Sequence, residues 1–218
     1  MSRIPWVVGV SGASGTPYAA AVLRALLDAG DPVDLVVSRA ARLTLLDETG
    51  VSWNDGRWAA SAGSWLSRDV LGDLRHWGPG DLAAGPSSGS YQTRGMVVVP
   101  ASTASVAGIA LGLSKDLLQR AADVTLKERR PLVVVPRETP LPRSTLAHLL
   151  ALADAGAVVL PASPAFYGGV NDVADLVDFV AGKVLDILGV EHALFRRWSG
   201  KLRQDASGDA SGDLDRDI

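Results

Sequence analysis

Residues 126–141, LKERRPLVVVPRETPL, decide the fold. Their centre, Leu132 to Pro136, is an unbroken apolar run, which is typical of a strand buried on both faces of a parallel sheet. The run stops abruptly at Arg137 and Glu138. In open α/β sheets, ligands bind just beyond the carboxyl ends of the strands. We therefore expect Arg137 and Glu138 to belong to a site.

The same pattern recurs elsewhere in the chain. WVVGV runs into SGASG, VDLVV into Ser38 and Arg39, MVVVP into the triplet AST, and AVVLP into a segment that ends in Phe166 and Tyr167. Helical patterns lie between these runs, and such alternation is typical of an α/β fold. We predict a three-layer αβα sandwich with a central, mainly parallel sheet.

The element boundaries follow from periodicity and from glycine and proline signals. Strands are predicted at 7–10, 33–37, 96–99, 132–136 and 158–160, and helices at 17–30, 40–48, 105–112, 115–130, 143–155 and 173–188. Residues 53–77 are expected to hold one short strand and a helix, and residues 86–94 a functional loop. We expect residues 1–199 to form a single domain and the acidic tail 200–218 to be disordered.

Composition excludes several classes of protein. The net charge of −3 offers no electrostatic footprint for nucleic acid, and no apolar run approaches the length of a membrane span. The absence of cysteine excludes disulfides, iron–sulfur clusters and thiolate metal sites. The three histidines lack ligand spacing, so we expect no metal. The N-terminus carries no signal-peptide pattern, and a cytoplasmic protein is expected.

The first turn, Gly9 to Gly15, has the spacing G-x-x-G-x-x-G between a strand and a helix. Glycines allow close backbone approach to a ligand, and a helix N-terminus favours anionic groups. The turn lacks the G-x-G-x-x-G fingerprint and its acidic residue, so dinucleotide binding is disfavoured. Ser11 and Ser14 instead suggest hydroxyl contacts to a mononucleotide or flavin. A purely structural turn is the alternative.

Other polar residues have two interpretations each. Ser38 and Ser102 follow strands, where they could face a ligand or act as ordinary helix N-caps. Arg120 and Lys127 share one helix face and could bind a phosphate, although a solvated cationic stripe is slightly favoured. The Arg137 fork suits bidentate phosphate binding and Glu138 could be an acid or base, with a structural ion pair between them as the competing account.

Six segments together resemble one known family, the flavin prenyltransferases (UbiX-like flavoproteins). They are GVSGASG, VVSRAA with Glu48 beyond it, SSGSYQTRGMVVVPAST, LLQRAADVTLKERRPLVVVPRETPL, GAVVLPASPAFY and LFRRW, and they span residues 7–198. The resemblance implies a flavodoxin-like fold and an FMN cofactor. It also implies transfer of a dimethylallyl group from dimethylallyl monophosphate to N5 and C6 of reduced FMN, without a metal. A homododecamer is implied, and the prenylated FMN would serve a UbiD-type decarboxylase.

The resemblance also implies roles for individual residues, transferred by motif position. FMN would be held by Gly12, Ala13, Ser14, Ser38, Ser102, Thr103, Ala104, Ser105, Arg120 and Arg137. The prenyl phosphate would be bound by Lys127, Arg137, Tyr167 and Lys183, where Lys183 replaces an arginine that is common in the family. Ser14, Glu48 and Glu138 would act at the reacting centre, with the two carboxylates handling protons.

Two other functions compete with this one. A flavin-dependent cysteine decarboxylase of the same superfamily would need a histidine after the second strand and a PASANT-type motif, whereas this chain has PASPAFY and no histidine before Arg75. A non-catalytic flavin carrier would keep the serine and glycine pocket but lose the phosphate-binding residues. Lys127, Arg137 and Tyr167 are all present.

Overall fold

The computed structural model describes residues 4–166 and 170–198. Its centre is one sheet of six parallel strands in the order β3-β2-β1-β4-β5-β6. The strands are β1 (Trp6–Val10), β2 (Val33–Val37), β3 (Leu74–Trp77), β4 (Gly95–Ala101), β5 (Leu132–Pro136) and β6 (Val158–Val159). Every residue of β1, β2, β4 and β5 is buried, as expected for strands covered on both faces.

Seven helices cover the sheet among the described residues. They are α1 (Thr16–Asp28), α2 (Arg39–Thr49), α3 (Trp58–Leu66), α4 (Thr103–Ala110), α5 (Leu117–Lys127), α6 (Arg143–Asp154) and α7 (Val173–Leu188). The first core cluster joins one sheet face to α1, α2, α3 and α7. The second joins the other face to α4, α5 and α6. The predicted three-layer αβα sandwich is therefore confirmed.

Most predicted elements exist, and the differences lie at their ends. The region 53–77 contains α3 and the edge strand β3, as expected. Helix α5 is shorter than the predicted 115–130, because Asp116 caps its start and Arg129 has a left-handed φ of 55°. Helix α4 begins two residues early, at Thr103, because Ser102 is its N-cap. The strand predicted at 158–160 is reduced to two residues.

The chain crosses the sheet between β3 and β4 without an α-helix. Strands β2 and β1 lie between these two strands, so residues 78–94 pass over them from the carboxyl edge of the sheet to its amino edge. We call residues 78–94 the crossover segment. Its only helical turn is the 3-10 turn Gly85–Ser87. The loop predicted at 86–94 is the second half of this segment.

Two further features complete the description. Within residues 4–166 and 170–198, no helix is both long and apolar enough to cross a bilayer. The peptide bonds before Pro100 and Pro140 are cis. The expected tail and Tyr167 lie outside the described residues.

Candidate active site

The carboxyl ends of β1, β2 and β4 meet at a cavity of about 400 Å³. Five of the residues predicted to bind a cofactor line it: Gly12, Ser38, Ser102, Ala104 and Ser105. They come from three separate chain segments, and the parallel sheet brings them together because its strands all end at this edge. The cavity therefore lies at the sheet edge where we predicted a ligand-binding site.

The glycine turn after β1 contributes Gly12 to the lining of this cavity. A Cβ at Gly12 would lie 3.0 Å from the backbone carbonyl carbon of Ala40 and closer still to the Ala40 side chain. A larger residue at position 12 would therefore push the turn away from α2. Glycine is needed here for close packing of backbone against backbone.

Ser11 contradicts the expectation of a hydroxyl facing the ligand. Its side chain is 1% exposed. The Ser11 hydroxyl donates to the Pro100 carbonyl at 2.8 Å and accepts from the Ser102 N–H at 2.7 Å. Both hydrogen-bonding roles are therefore used to join β1 to β4. Ser11 fixes the position of the Ser102 turn instead of contacting a ligand.

The N-cap interpretation of the strand-end serines is confirmed, and both serines also line the cavity. The Ser38 hydroxyl accepts from the Ala41 N–H at 3.1 Å, and the Ser102 hydroxyl accepts from the Ser105 N–H at 3.2 Å, so each is the N-cap of a helix. The capped ends of α2 and α4 face the same cavity. A helix N-terminus carries partial positive charge, which suits phosphate or another anionic group.

Arg137 contacts the glycine turn across the top of the sheet. Its Nε donates to the Ser14 carbonyl at 2.9 Å. The Tyr18 ring lies beside the same turn, within 3.0 Å of the position of a Cβ on Gly15. Burial raises the pKa of the Tyr18 phenol, against the opposing effect of the Arg137 charge. Arg137, Ser14 and Tyr18 thus form one local group.

Glu48 caps the start of α1. The N-cap residue of α1 is Gly15, which has no side chain that could accept from the first N–H groups of the helix. The Glu48 carboxylate accepts from the Gly15 N–H and the Thr16 N–H, both at 2.8 Å, and from the Thr16 hydroxyl at 2.6 Å. Partial burial opposes its ionisation, but the hydrogen bonds, including one with Ser14, leave the Glu48 pKa below its usual value. The sequence did not reveal this cap.

Glu138 is the less constrained carboxylate. It is exposed, and one carboxylate oxygen accepts from the neighbouring Thr139 N–H at 3.0 Å. Within residues 4–166, no ion pair joins Glu138 to Arg137, so the structural ion pair considered for them is not formed. Glu138 is free to approach a ligand at the carboxyl edge.

The two cations of α5 lie at opposite edges of the sheet. Arg120 is near the cavity end, where its Nε donates to the Ser87 carbonyl at 3.1 Å and its guanidinium pairs with Asp123 at 2.8 Å. Lys127 is the last residue of α5, about 15 Å from the first by helical rise. It pairs with Glu128. One chain therefore does not bring Lys127 to the site of Arg137.

Lys183 also lies away from the cavity lining. On α7 its ammonium is 3.5 Å from the Asp186 carboxylate. Asp186 accepts from Arg197 at 2.7 Å and contacts His192 at 3.1 Å. The hydrogen bond from Arg197 is the main reason why the Asp186 pKa falls to about 2. Tyr167, the remaining predicted phosphate ligand, lies outside the described residues.

Several cavity residues were not predicted from the sequence. Pro79 and Gly80 of the crossover segment form one wall, and Lys115 and Gln119 at the start of α5 form another. The proline and glycine after β3 were a signal that a chain reversal occurs there. Within residues 4–166 and 170–198, no group of three or more histidines and carboxylates is placed to hold a metal ion.

Comparisons with known proteins agree with this geometry. Residues 1–185 match the model of the family described as Flavoprotein. The flavin prenyltransferase UbiX of Streptomyces coelicolor is 68% identical over 210 residues, which cover 91% of this chain and 97% of that protein.

Two solved structures share the fold and more than a third of the sequence. AnUbiX (PadA1), in complex with FMN and dimethylallyl pyrophosphate, is 38% identical with a TM-score of 0.81, and the match covers 92% of this chain and all of that one. A dodecameric FMN-dependent UbiX-like decarboxylase from Escherichia coli O157:H7 is 41% identical, also with a TM-score of 0.81, over 90% of this chain and all of that one.

Proposed function

The chain belongs to the Flavoprotein family and, within it, to the flavin prenyltransferases, and from this premise we propose its reaction in detail. The enzyme transfers a dimethylallyl group from dimethylallyl monophosphate to N5 and C6 of reduced FMN. The product is prenylated FMN, which is delivered to a UbiD-type decarboxylase. The contact of Arg137 with the Ser14 carbonyl supports the proposal, because it holds a guanidinium, which suits phosphate binding, beside the glycine turn whose Gly12 lines the cavity.

The cavity fits FMN in size and chemistry. Its volume of about 400 Å³ is within the range of small-molecule sites. The capped N-termini of α2 and α4 offer partial positive charge to a phosphate, and Gly12 lies in the cavity lining beside them. We assign FMN binding to Gly12, Ala13, Ser14, Ser38, Ser102, Thr103, Ala104, Ser105, Arg120 and Arg137.

The flavin supplies the two ring positions, N5 and C6, that become bonded to the prenyl carbons. Around them, the residues of this chain stabilise the departing phosphate. The Arg137 fork would bind phosphate oxygens in two parallel hydrogen bonds, and its charge offsets the negative charge that grows as the carbon–oxygen bond breaks. Lys127, Lys183 and Tyr167 would complete the phosphate niche.

The distance between Lys127 and Arg137 suggests how that niche is built. The two residues lie at opposite edges of the sheet in one chain, so they can share a phosphate only if they come from different subunits. We propose a homododecamer in which a neighbouring subunit supplies Lys127. The dodecameric assembly of the related Escherichia coli protein supports this arrangement.

Glu138 and Glu48 have different roles in the proposed reaction. The second new bond needs a proton to leave flavin C6 and a proton to reach the prenyl chain, so a carboxylate that takes and returns one proton is sufficient. Glu138 is exposed beside Arg137 and suits that role. The Glu48 carboxylate already accepts hydrogen bonds from the Gly15 and Thr16 N–H groups at the start of α1. Its main contribution is therefore to hold the Ser14 turn in place.

Inorganic phosphate release tests the reaction. Anaerobic protein with reduced FMN should release phosphate from dimethylallyl monophosphate in proportion to flavin consumed, in the presence of a chelator. The non-catalytic flavin carrier considered above would bind FMN but release no phosphate. Comparison with dimethylallyl pyrophosphate, the donor bound by AnUbiX, measures which ester this chain prefers.

A further inference from the structure

A carboxylate is buried in β2, on the sheet face that α5 covers. Asp34 is 0% exposed and lies next in the sheet to Val7 of β1 and Arg75 of β3. The other members of this strand are Val33, Leu35, Val36 and Val37. An apolar residue would pack here without the cost of removing a charge from water. The aspartate therefore needs an explanation in the contacts that it makes.

Two hydrogen bonds connect Asp34 to the start and to the end of the crossover segment. One carboxylate oxygen accepts from the Trp77 indole N–H at 2.9 Å, and the other accepts from the Tyr91 hydroxyl at 2.8 Å. Trp77 ends β3 immediately before the crossover segment, and Tyr91 lies near the end of that segment. A single carboxylate thus fixes both ends of a crossing that has no α-helix to stiffen it.

The Tyr91 hydroxyl remains protonated, so it can donate its hydrogen bond to Asp34. The pKa of the Tyr91 phenol is raised to about 12, mainly by burial and then by the hydrogen bond and charge of Asp34. The phenol therefore stays protonated throughout the ordinary pH range. Arg130 also fixes this end of the segment, because its guanidinium donates to the carbonyls of Tyr91 at 2.9 Å and Gly89 at 2.8 Å.

The segment between these two fixed points reaches the candidate active site. The Ser87 carbonyl accepts from the Arg120 Nε at 3.1 Å and, together with the Asp123 carboxylate at 2.8 Å, sets the direction of the guanidinium. Pro79 and Gly80 form a wall of the cavity. A displacement of Ser87 would therefore release the Arg120 guanidinium from one of its two acceptors and leave it held by Asp123 alone.

We propose that Asp34 is a positioning residue for FMN binding, which acts through Tyr91 and the Ser87 carbonyl to orient the Arg120 guanidinium. This inference rests on the proposed function, in which Arg120 contacts FMN. Asp34 does not touch the ligand itself. Its effect depends on the tie to the crossover segment, so it disappears when the guanidinium that it orients is removed.

A double-mutant cycle on FMN affinity tests the role. Tyr91→Phe removes the hydroxyl that binds Asp34, and Arg120→Met removes the guanidinium while keeping an apolar stem. Flavin titration of the full-length apoprotein should show about a tenfold weaker FMN affinity for each single variant. In the double variant, Tyr91→Phe should add almost nothing to the loss from Arg120→Met. Asp34→Asn, which keeps one acceptor oxygen, should lose less affinity than Tyr91→Phe.

A matched control separates positioning from stability. Ser61→Ala removes another hydroxyl, which donates to the Ser52 carbonyl at 3.1 Å and accepts from the Asn54 N–H at 3.2 Å, and it should leave FMN affinity unchanged. Multiplicative losses in the double variant, or full affinity in Tyr91→Phe, would overturn the positioning role alone. Failure of the unaltered protein to bind FMN would overturn the proposed function with it.

Discussion

The Arg137 Nε and the Ser14 carbonyl are 2.9 Å apart, although 123 residues separate them in the chain. Arg137 follows β5 and Ser14 follows β1, and β4 lies between these strands. The contact therefore spans the carboxyl edge of three strands. It holds the guanidinium at the turn where we propose that the flavin binds.

Arg137→Lys should weaken both FMN binding and prenyl transfer. An ammonium is a point charge, so it cannot donate to the Ser14 carbonyl and to a phosphate with the fixed geometry of a guanidinium. We expect FMN affinity and kcat/KM to fall by about tenfold or more. Arg143→Lys, at the exposed start of α6, is the control and should behave as the unaltered protein. Equal affinity in both variants would remove Arg137 from the flavin site.

Glu48→Gln should destabilise the fold in a pH-dependent way. It removes the charge that caps α1, and loss of a helix cap costs about 1 kcal/mol. The Glu48 pKa is lower in the folded protein, so its stabilisation is present above the ordinary carboxyl pKa and is lost as the pH falls through the folded value.

Thermal unfolding between about pH 3 and about pH 7 measures this effect. The Tm gap between Glu48→Gln and the unaltered protein should be largest near neutral pH and narrow in acid. Asp47→Asn, at the exposed neighbouring position, should show no such gap. A gap that is constant with pH would mean that the Glu48 charge does not stabilise α1.

Gly89→Ala should affect the prenyl donor more than the flavin. A Cβ at Gly89 would lie 2.6 Å from the Lys127 Nζ and would also displace the Glu128 carboxylate. These are flexible side-chain ends, so the fold should survive while Lys127 moves. We expect KM for dimethylallyl monophosphate to rise about fivefold with FMN affinity unchanged.

The matched control is Gly56→Ala, whose Cβ would approach only the Asn54 side-chain oxygen, at 3.3 Å. This variant should keep the KM of the unaltered protein. If Gly89→Ala also keeps that KM, the position of Lys127 does not matter for the donor.

Hybrid oligomers test whether two subunits share one site. Arg137→Met and Lys127→Met should each be nearly inactive alone. Co-expressed with different affinity tags and purified through both, they should form oligomers in which some sites combine an intact Arg137 with an intact Lys127. We expect a substantial recovery of activity in these hybrids. Hybrids as inactive as their parents would show that the two residues act within the same chain.

The sequence predicted the layers of the fold and the edge that carries the site. Apolar runs such as Leu132–Pro136 are visible in one dimension, and parallel strands place their following residues at one edge. This reasoning placed Arg137 at the carboxyl edge of the sheet, where its Nε donates to the Ser14 carbonyl. Helix ends were less accurate, because caps such as Asp116 and the left-handed Arg129 depend on local backbone geometry.

Contacts between distant polar side chains could not be predicted from the residues alone. Ser11 looked available for a ligand, but Pro100 and Ser102 use its hydroxyl. Glu48 caps a helix that begins 32 residues earlier. The sequence does not show that Asp34, which lies in an apolar strand, accepts hydrogen bonds from Trp77 and Tyr91. Each partner is fixed only when the sheet brings separate segments together.

Mass spectrometry of the flavin after an anaerobic reaction tests the central claim most directly. The protein is incubated with reduced FMN and dimethylallyl monophosphate, without added metal, and the flavin is extracted. Flavin prenyl transfer predicts FMN that carries one additional dimethylallyl unit, formed only when protein and both substrates are present. Recovery of bound but unmodified FMN, with the donor intact, would contradict the account.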